Sequence, residues 1–303
     1  MPQAAALPEL QENLEDLLQN ETWCTRYLFL FRWPGDFICP GCGRNGGQRR
    51  PAATVTCRYC GKTTSITTGT LLHATKKPLS AWLQALWWLS AAPQQLTGKS
   101  LQRRLTIRSY QTAWNWMKIL REAMKRANRQ RCSGTIEIDG GFIAFSKDGS
   151  TGRYVLAAVE VEPKNRLAGR LHLAQHSALI SGQVARFIEE HTEPGSTILA
   201  PDRSPFYLPA FANRLYLIET GCTSQDRARE AVEHCCDCFE EQQGPKHSPA
   251  RFQEYLDEFC FRTNSARLAN RRMVFEQLID AVLLPLPGSC RQSGEPCTAG
   301  GLP

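Results

Sequence analysis

An α+β chain of several domains is what the sequence predicts, and three observations predict it. Two CxxC pairs stand close together near the start, a run of three helices with a basic third helix follows, and β-rich segments broken by one helix begin at about residue 134. The chain has 303 residues, 42% hydrophobic and 21% charged, enough for a sizeable buried core. The first segment, MPQAAALPELQENLEDLLQN, carries acids where an export signal needs bases, and no stretch reaches the ~20 apolar residues of a membrane span. The expectation is a cytoplasmic protein with no membrane partner, in which an odd total of 13 cysteines points to metal ligation before disulfides.

Short amphipathic helices read from residue 8 to 31 and stop at Trp33-Pro34-Gly35. Cys39-Pro40-Gly41-Cys42 and Cys57-Arg58-Tyr59-Cys60 then supply four thiols on two tight turns. Zn²⁺ takes four soft ligands in a tetrahedron, and Gly43 and Gly61, each just after a pair, permit the left-handed turn that wraps a metal. A redox dithiol needs one pair only, so a closed structural zinc ribbon is expected at Cys39, Cys42, Cys57 and Cys60. His234-Cys235-Cys236-Asp237-Cys238 is also dense in ligand atoms, but it lies in a helical run with no matching second half. Small buried thiols are the better reading there.

Apolar residues at helical spacing predict helices at 79–90, 99–105 and 110–128, the last two joined by the short link 106–109. That order fits a helix-turn-helix. The formal charge of the chain is +7, yet 99–131 alone carries ten bases against Glu122, or +9, leaving −2 for everything else. A concentrated basic segment favours a polyanion, nucleic acid first. Ala113, Met117, Leu120 and Met124 share the face suited to packing. Arg108, Gln111, Thr112 and Asn115 are the candidate base readers, with Arg103, Arg104, Lys118 and Arg121 nearer the phosphates. Thr106 stands in the turn where glycine is frequent.

Strands follow at 135–139, 153–161 and 169–174, then a helix at 179–191, then strands at 197–200 and 214–219. Three strands, a helix and two strands make a mixed sheet. Asp139 ends the first predicted strand and Asp202 follows the fourth; either alone reads as a turn or cap residue, but carboxylates placed at adjacent strand ends can share divalent ions. Residues 227–284 read as helical and 286–303 as a disordered tail.

The segments TWCTRYLFLFRWPGDFICPGCG (22–43), CRYCGKTTSITTGTLLHATKKPLSAWLQALWWL (57–89) and SYQTAWNWMKILREAM (109–124) resemble bacterial insertion-sequence transposases of the IS fifteen-ninety-five (ISXO-two-like) family. So do EIDGGFI (137–143), YVLAAVEV (154–161), ILAPDRSPFY (198–207) and FQEYLDEFCFRTN (252–264), in the family's order, over about residues 8–285. The resemblance implies domains at 8–77 (helices and zinc ribbon), 78–130 (helix-turn-helix) and 134–285 (ribonuclease-H-like), and a DDE-type enzyme that transfers DNA strands with Mg²⁺ or Mn²⁺. Its implied partners are double-stranded DNA, as element ends and as target, and further copies of the chain in the DNA complex. Its implied place is the bacterial nucleoid.

The third catalytic position departs from the family. Counting back from Tyr255 sets Cys235 where the family commonly has Asn and Asp237 where it has Lys. Sulfur suits a hard cation poorly, so Asp237 is the expected third ligand, with Glu233 and His234 as weaker substitutes. Gly140-Gly141 and Arg203-Ser204 also depart from the usual pairs after each Asp. A decayed or domesticated descendant that binds DNA through the ribbon and helix-turn-helix without cutting it is the competing expectation. A zinc-ribbon transcription or RNA-processing factor would leave the sheet and its aspartates unused.

Overall fold

The computed structural model describes residues 14–91, 96–145, 150–161, 168–202, 206, 216–220, 227–243, 251–268 and 270–286. The chain divides into two compact units, Met1–Ala127 with Asn270–Pro303, and Asn128–Ala269.

In the first unit α1 (Leu14–Leu17) leads into α2 (Glu21–Arg32), whose cap Asn20 accepts a hydrogen bond from the Trp23 amide at 3.1 Å. Aromatic residues one turn apart meet along α2, Trp23 stacked on Tyr27 at 4.7 Å and Tyr27 tilted against Phe31 at 5.0 Å. The antiparallel strands β1 (Gly47–Arg50), β2 (Thr54–Cys57) and β3 (Thr63–Ser65) form a small sheet in that order. Then come α3 (Leu79–Ala91), α4 (Gly98–Arg104) and α5 (Tyr110–Ala127). The Glu21 carboxylate accepts from the Leu79 and Ser80 amides, both at 2.8 Å, and so caps α3 from 58 residues away. Thr97 and Ser100 cap α4 reciprocally, and Trp82 of α3 stacks on Trp116 of α5 at 3.7 Å.

The last helix, α9, is expected in the sheet domain from its sequence position, since that domain is read to 285. It belongs instead to the first unit. α9 (Arg271–Leu283) buries Val274, Phe275, Leu278, Ile279 and Val282 and packs with α2, α3 and α5. Arg271 lies over the Trp87 ring at 3.6 Å and donates to the Trp87 carbonyl, while Arg126 of α5 reaches the carbonyl of Leu284 at 3.2 Å. At about 1.5–3 kcal/mol per large apolar side chain, five of them make this helix a principal contributor to the unit.

In the second unit β4 (Thr135–Ala144), β5 (Gly152–Val161) and β6 (Ala168–His176) form an antiparallel meander; α6 (Ser181–His191) follows, and β7 (Thr197–Ala200) and β8 (Leu217–Thr220) add parallel to β4. The strand order is β6-β5-β4-β7-β8. Alternate residues feed two cores. Ile136, Ile138, Leu156 and Ile198 meet Val184 and Phe187 of α6, while Ile143, Val155, Val159 and Leu173 meet α7 (Arg227–Gln243) and α8 (Phe252–Ala266).

Strand β4 runs five residues beyond its expected end, straight through Gly140-Gly141. A Cβ at Gly140 would come within 2.9 Å of the Val155 carbonyl, and one at Gly141 within 3.2 Å of Val232 on α7. These glycines therefore admit close neighbours and do not break the strand. The outer edge of β6 is covered by side-chain amides of α8. Asn264 accepts from the Leu171 amide at 2.8 Å and donates to its carbonyl at 2.9 Å. Gln253 does the same for Gln175 and Leu173, at 2.9 and 3.2 Å. Three turns apart on one helix face, the two amides imitate a neighbouring strand and block edge pairing.

Candidate functional site

Cys39, Cys42, Cys57 and Cys60 are brought together with their sulfurs all within 4.8 Å of one another, the one group of three or more potential metal-ligating side chains among the described residues. Cys39 and Cys60 lie 3.5 Å apart and Cys42 and Cys57 3.7 Å apart. Metal–sulfur bonds of ~2.3 Å in a tetrahedron require sulfur separations of about 3.8 Å, so the donor set fits a structural metal such as zinc. Each turn closes as expected. Gly43 donates to the Cys39 carbonyl at 2.9 Å and Gly61 to that of Cys57 at 3.2 Å, at φ of 69° and 70°. The Gly41 amide points at the Cys39 sulfur at 3.3 Å and the Tyr59 amide at that of Cys57 at 3.4 Å. Amides of Cys60 and Tyr59 lower the Cys57 thiol, which favours the thiolate form that a metal takes, while the neighbouring thiols raise Cys42.

Helices α4 and α5 carry the expected basic segment. The predicted packing face of α5, Ala113, Met117, Leu120 and Met124, is buried, and Trp116 and Ala123 join it. Arg103, Arg104, Arg108, Gln111, Asn115 and Lys118 are exposed, and Thr112 and Arg121 are half-buried. Gln111 donates to Asn115 at 3.2 Å, which sets two candidate base readers side by side. Arg104 lies over the Trp88 ring at 5.1 Å and Arg121 over Trp114 at 5.5 Å. The turn before α5 holds Thr106 at a φ of 50°, the left-handed conformation that glycine adopts freely and a β-branched residue adopts at a cost. The ribbon adds Arg44, Arg49, Arg50, Arg58 and Lys62, all exposed and none of them among the individually named candidate DNA contacts. The signal for them is in the sequence: no Asp or Glu occurs between Phe37 and Arg121.

In the sheet unit Asp139 is 8% exposed in the middle of β4, and its Oδ1 accepts from the Gly140 amide at 2.7 Å. Glu137 of β4 pairs with Leu199 of β7, so Asp139 sits two residues past that pair and the exposed Asp202 three past it. Asp139 is thus within its strand, not at the strand end expected for it, and Asp202 follows the adjacent parallel strand about one residue further along. Asp237, expected as the third ligand, is not joined to them. On α7 the face toward the core carries Ala228, Val232 and Cys235, and Asp237 lies two residues, or about 200°, further round, exposed. Glu233 and His234 are exposed as well, with Glu233 bonded to Arg229 at 2.9 Å. Asp139, Asp202 and Asp237 form no metal-ligating group among the described residues. Arg203 and Ser204, the departures after Asp202, lie outside those residues. Cys235 is fully buried in the core with Cys260, and burial raises both thiols well above the usual range, as befits inert core residues. No helix among the described residues is long and apolar enough to cross a membrane.

No protein-family model matches the sequence, and no curated protein does either. A chain in the cryo-EM structure of the simian T-cell lymphotropic virus intasome in complex with PP2A regulatory subunit B56 gamma shows a weak structural likeness, at 11% identity and a TM-score of 0.31. The similarity covers 59% of this chain and 64% of that one. A likeness of that size decides neither fold nor function.

Proposed function

We propose that the chain is a DDE-type DNA transposase, with a ribonuclease-H-like second unit, that binds the inverted-repeat ends of an insertion sequence through α4 and α5 and cuts and joins strands at Asp139 and Asp202. The observation that carries the reading is the register of β4 against β7, which sets Asp139, within β4, two residues past the Glu137–Leu199 pair and Asp202, just beyond the end of β7, three residues past it. The meander, helix and two added parallel strands are the arrangement a ribonuclease-H-like domain requires. Asp139 and Asp202 would hold divalent ions, Mg²⁺ or Mn²⁺, and the chemistry such ions supply is activation of water or a 3′-OH and relief of charge on the leaving oxygen. The chain's own part is to aim the carboxylates. A buried central strand fixes the backbone of Asp139, and exposure at Asp202 leaves room for DNA. In such a complex further copies of the chain would bring two ends together, on the bacterial nucleoid.

The placement of Asp237 favours a second reading, a descendant that binds DNA and no longer cuts it. A cleavage assay on DNA carrying the ends that flank the gene separates the two. With Mg²⁺ or Mn²⁺ the wild type should nick, and Asp139→Asn and Asp202→Asn should each lose at least about 100-fold in rate while binding persists. Tight binding without nicking by the wild type, with either metal, refutes the enzyme and leaves the binding protein.

A further inference from the structure

Two half-buried arginines show what a guanidinium withdrawn from water ordinarily requires. Arg32 donates to the carbonyls of Ser65, Ile66 and Thr68, and Arg170 to the Glu160 carboxylate, the Arg131 carbonyl and the side-chain oxygen of Gln130. Arg227, which opens α7, is half-buried too, but its Nη1 is shut off from solvent with no hydrogen-bond partner among the described residues. Two residues on, Arg229 is exposed and paired with Glu233 at 2.9 Å. A buried, unmatched nitrogen on a permanent cation weakens the fold, and an anion that binds there removes the cost.

The place of Arg227 indicates which anion. Helix α7 lies over the face of β4 that carries Asp139, since a Cβ at Gly141, two residues further along that same face, would come within 3.2 Å of Val232. Arg227 stands five residues before Val232, about 7.5 Å along the helix axis. Its neighbour Ala228 is fully buried in a core that includes Ala157, the cross-strand partner of Asp139. We infer that Arg227 holds a non-bridging phosphate oxygen of the DNA strand that is cut at Asp139. The inference rests on the transposase reading above and adds to it a group that grips the reacting phosphate. A guanidinium offers parallel N–H groups to two phosphate oxygens and stays charged throughout. Arg227 makes and breaks no bond; its charge opposes the negative charge that grows on those oxygens when the phosphorus is attacked.

Inorganic phosphate is the first probe, on the full zinc-loaded chain with ionic strength held constant by chloride. At ten times its dissociation constant it should slow hydrogen exchange of the β4 amides about tenfold, because a ligand held only by the folded second unit opposes its opening. Arg227→Met keeps the length of the stem and drops the charge, so β4 should stay as protected as in the phosphate-free wild type and the response should vanish. Arg227→Gln takes its place if the methionine protein does not fold. DNA carrying the flanking ends, with Mg²⁺, is the second probe. Arg227→Met should bind it as the wild type does and cut it at least about 100-fold more slowly in a single turnover, and Arg227→Lys should restore part of the rate. A wild type whose β4 exchange does not change with phosphate, or variants that respond as the wild type does, overturns the anion site. A lost phosphate response with unimpaired cutting shows a site for free phosphate and overturns the DNA assignment. If Asp139→Asn abolishes cutting and Arg227→Met does not slow it, the transposase reading stands without Arg227. A wild type that responds to phosphate and never cuts removes the transposase reading and, with it, the DNA strand as occupant.

Discussion

The chain contains two cysteine-rich places, and they have opposite fates. Cys39, Cys42, Cys57 and Cys60 gather with sulfurs within 4.8 Å of one another, whereas Cys235, Cys236 and Cys238, only four residues end to end, pack into an apolar core beside Cys260. The difference is backbone, not composition. A CxxC on a tight turn points both thiols and nearby amides at one spot, and two such turns joined by a hairpin complete a tetrahedron. A helix spreads the same residues round its circumference, so each thiol follows the face it occupies. Density of ligand atoms is therefore a poor guide, and spacing on a turn is a good one.

The largest expected effect breaks this comparison directly. Purified protein should hold one equivalent of zinc, and Cys57→Ser should lose it and unfold the ribbon, because binding a structural zinc contributes on the order of 10 kcal/mol. Cys235→Ser should keep the zinc and lose about 1–3 kcal/mol of stability, the cost of a hydroxyl in an apolar core. Metal analysis and thermal unfolding of both variants check it. Full zinc in the first, or loss of zinc in the second, would reverse the two assignments.

A buried group that answers to pH sharpens the same contrast on the sheet side. His191 stacks on His172 at 5.0 Å, and burial, reinforced by the charge of His172, pushes it from 6.5 down to about 4. Burial lowers His172 and His176 as well. Glu190 opposes the shift of His191, and Arg131 adds to it. An unfolded chain takes up protons near 6.5 and the folded one does not. The contribution of His191 is thus whole above about 6.5 and drains away as pH falls to 4, by at most about 3 kcal/mol. Denaturant titrations at pH 7.5 and 4.5 should show a smaller drop in His191→Gln than in the wild type; an equal drop would assign acid sensitivity elsewhere.

The smallest effect is local. Thr106→Gly removes the cost of a left-handed β-branched residue at an exposed site and should stabilise the first unit by about 1 kcal/mol, read as a rise in its unfolding midpoint. A fall would show that Thr106 supports the turn through its side chain.

Much of this molecule was legible in its residues because the signals were local. The ribbon's ligands and knuckle glycines, the buried stripe of α5, the exposed basic side chains and the order of strands and helices all follow from spacing within one element. Gly140-Gly141 misled as an expected strand end, since a glycine that breaks a strand and one that admits a neighbour look the same until the neighbour is present. Of the three expected aspartates, Asp139 proves to lie within β4 and Asp202 just past β7, positions that the register of the two strands sets, and the side of α7 that Asp237 occupies depends on which face the sheet buries.

What tertiary structure alone decided shares one physical origin, contacts between residues far apart in the chain. An apolar stripe says that a helix must be covered, not by what, so nothing in 271–283 announces that α9 joins α2, α3 and α5 and not the sheet beside which its sequence lies. Glu21 capping α3, and Gln253 with Asn264 sealing the edge of β6, are ordinary polar residues in sequence. They acquire their roles only when unsatisfied backbone groups come within about 3 Å of them, and burial then makes leaving those groups unpaired too costly.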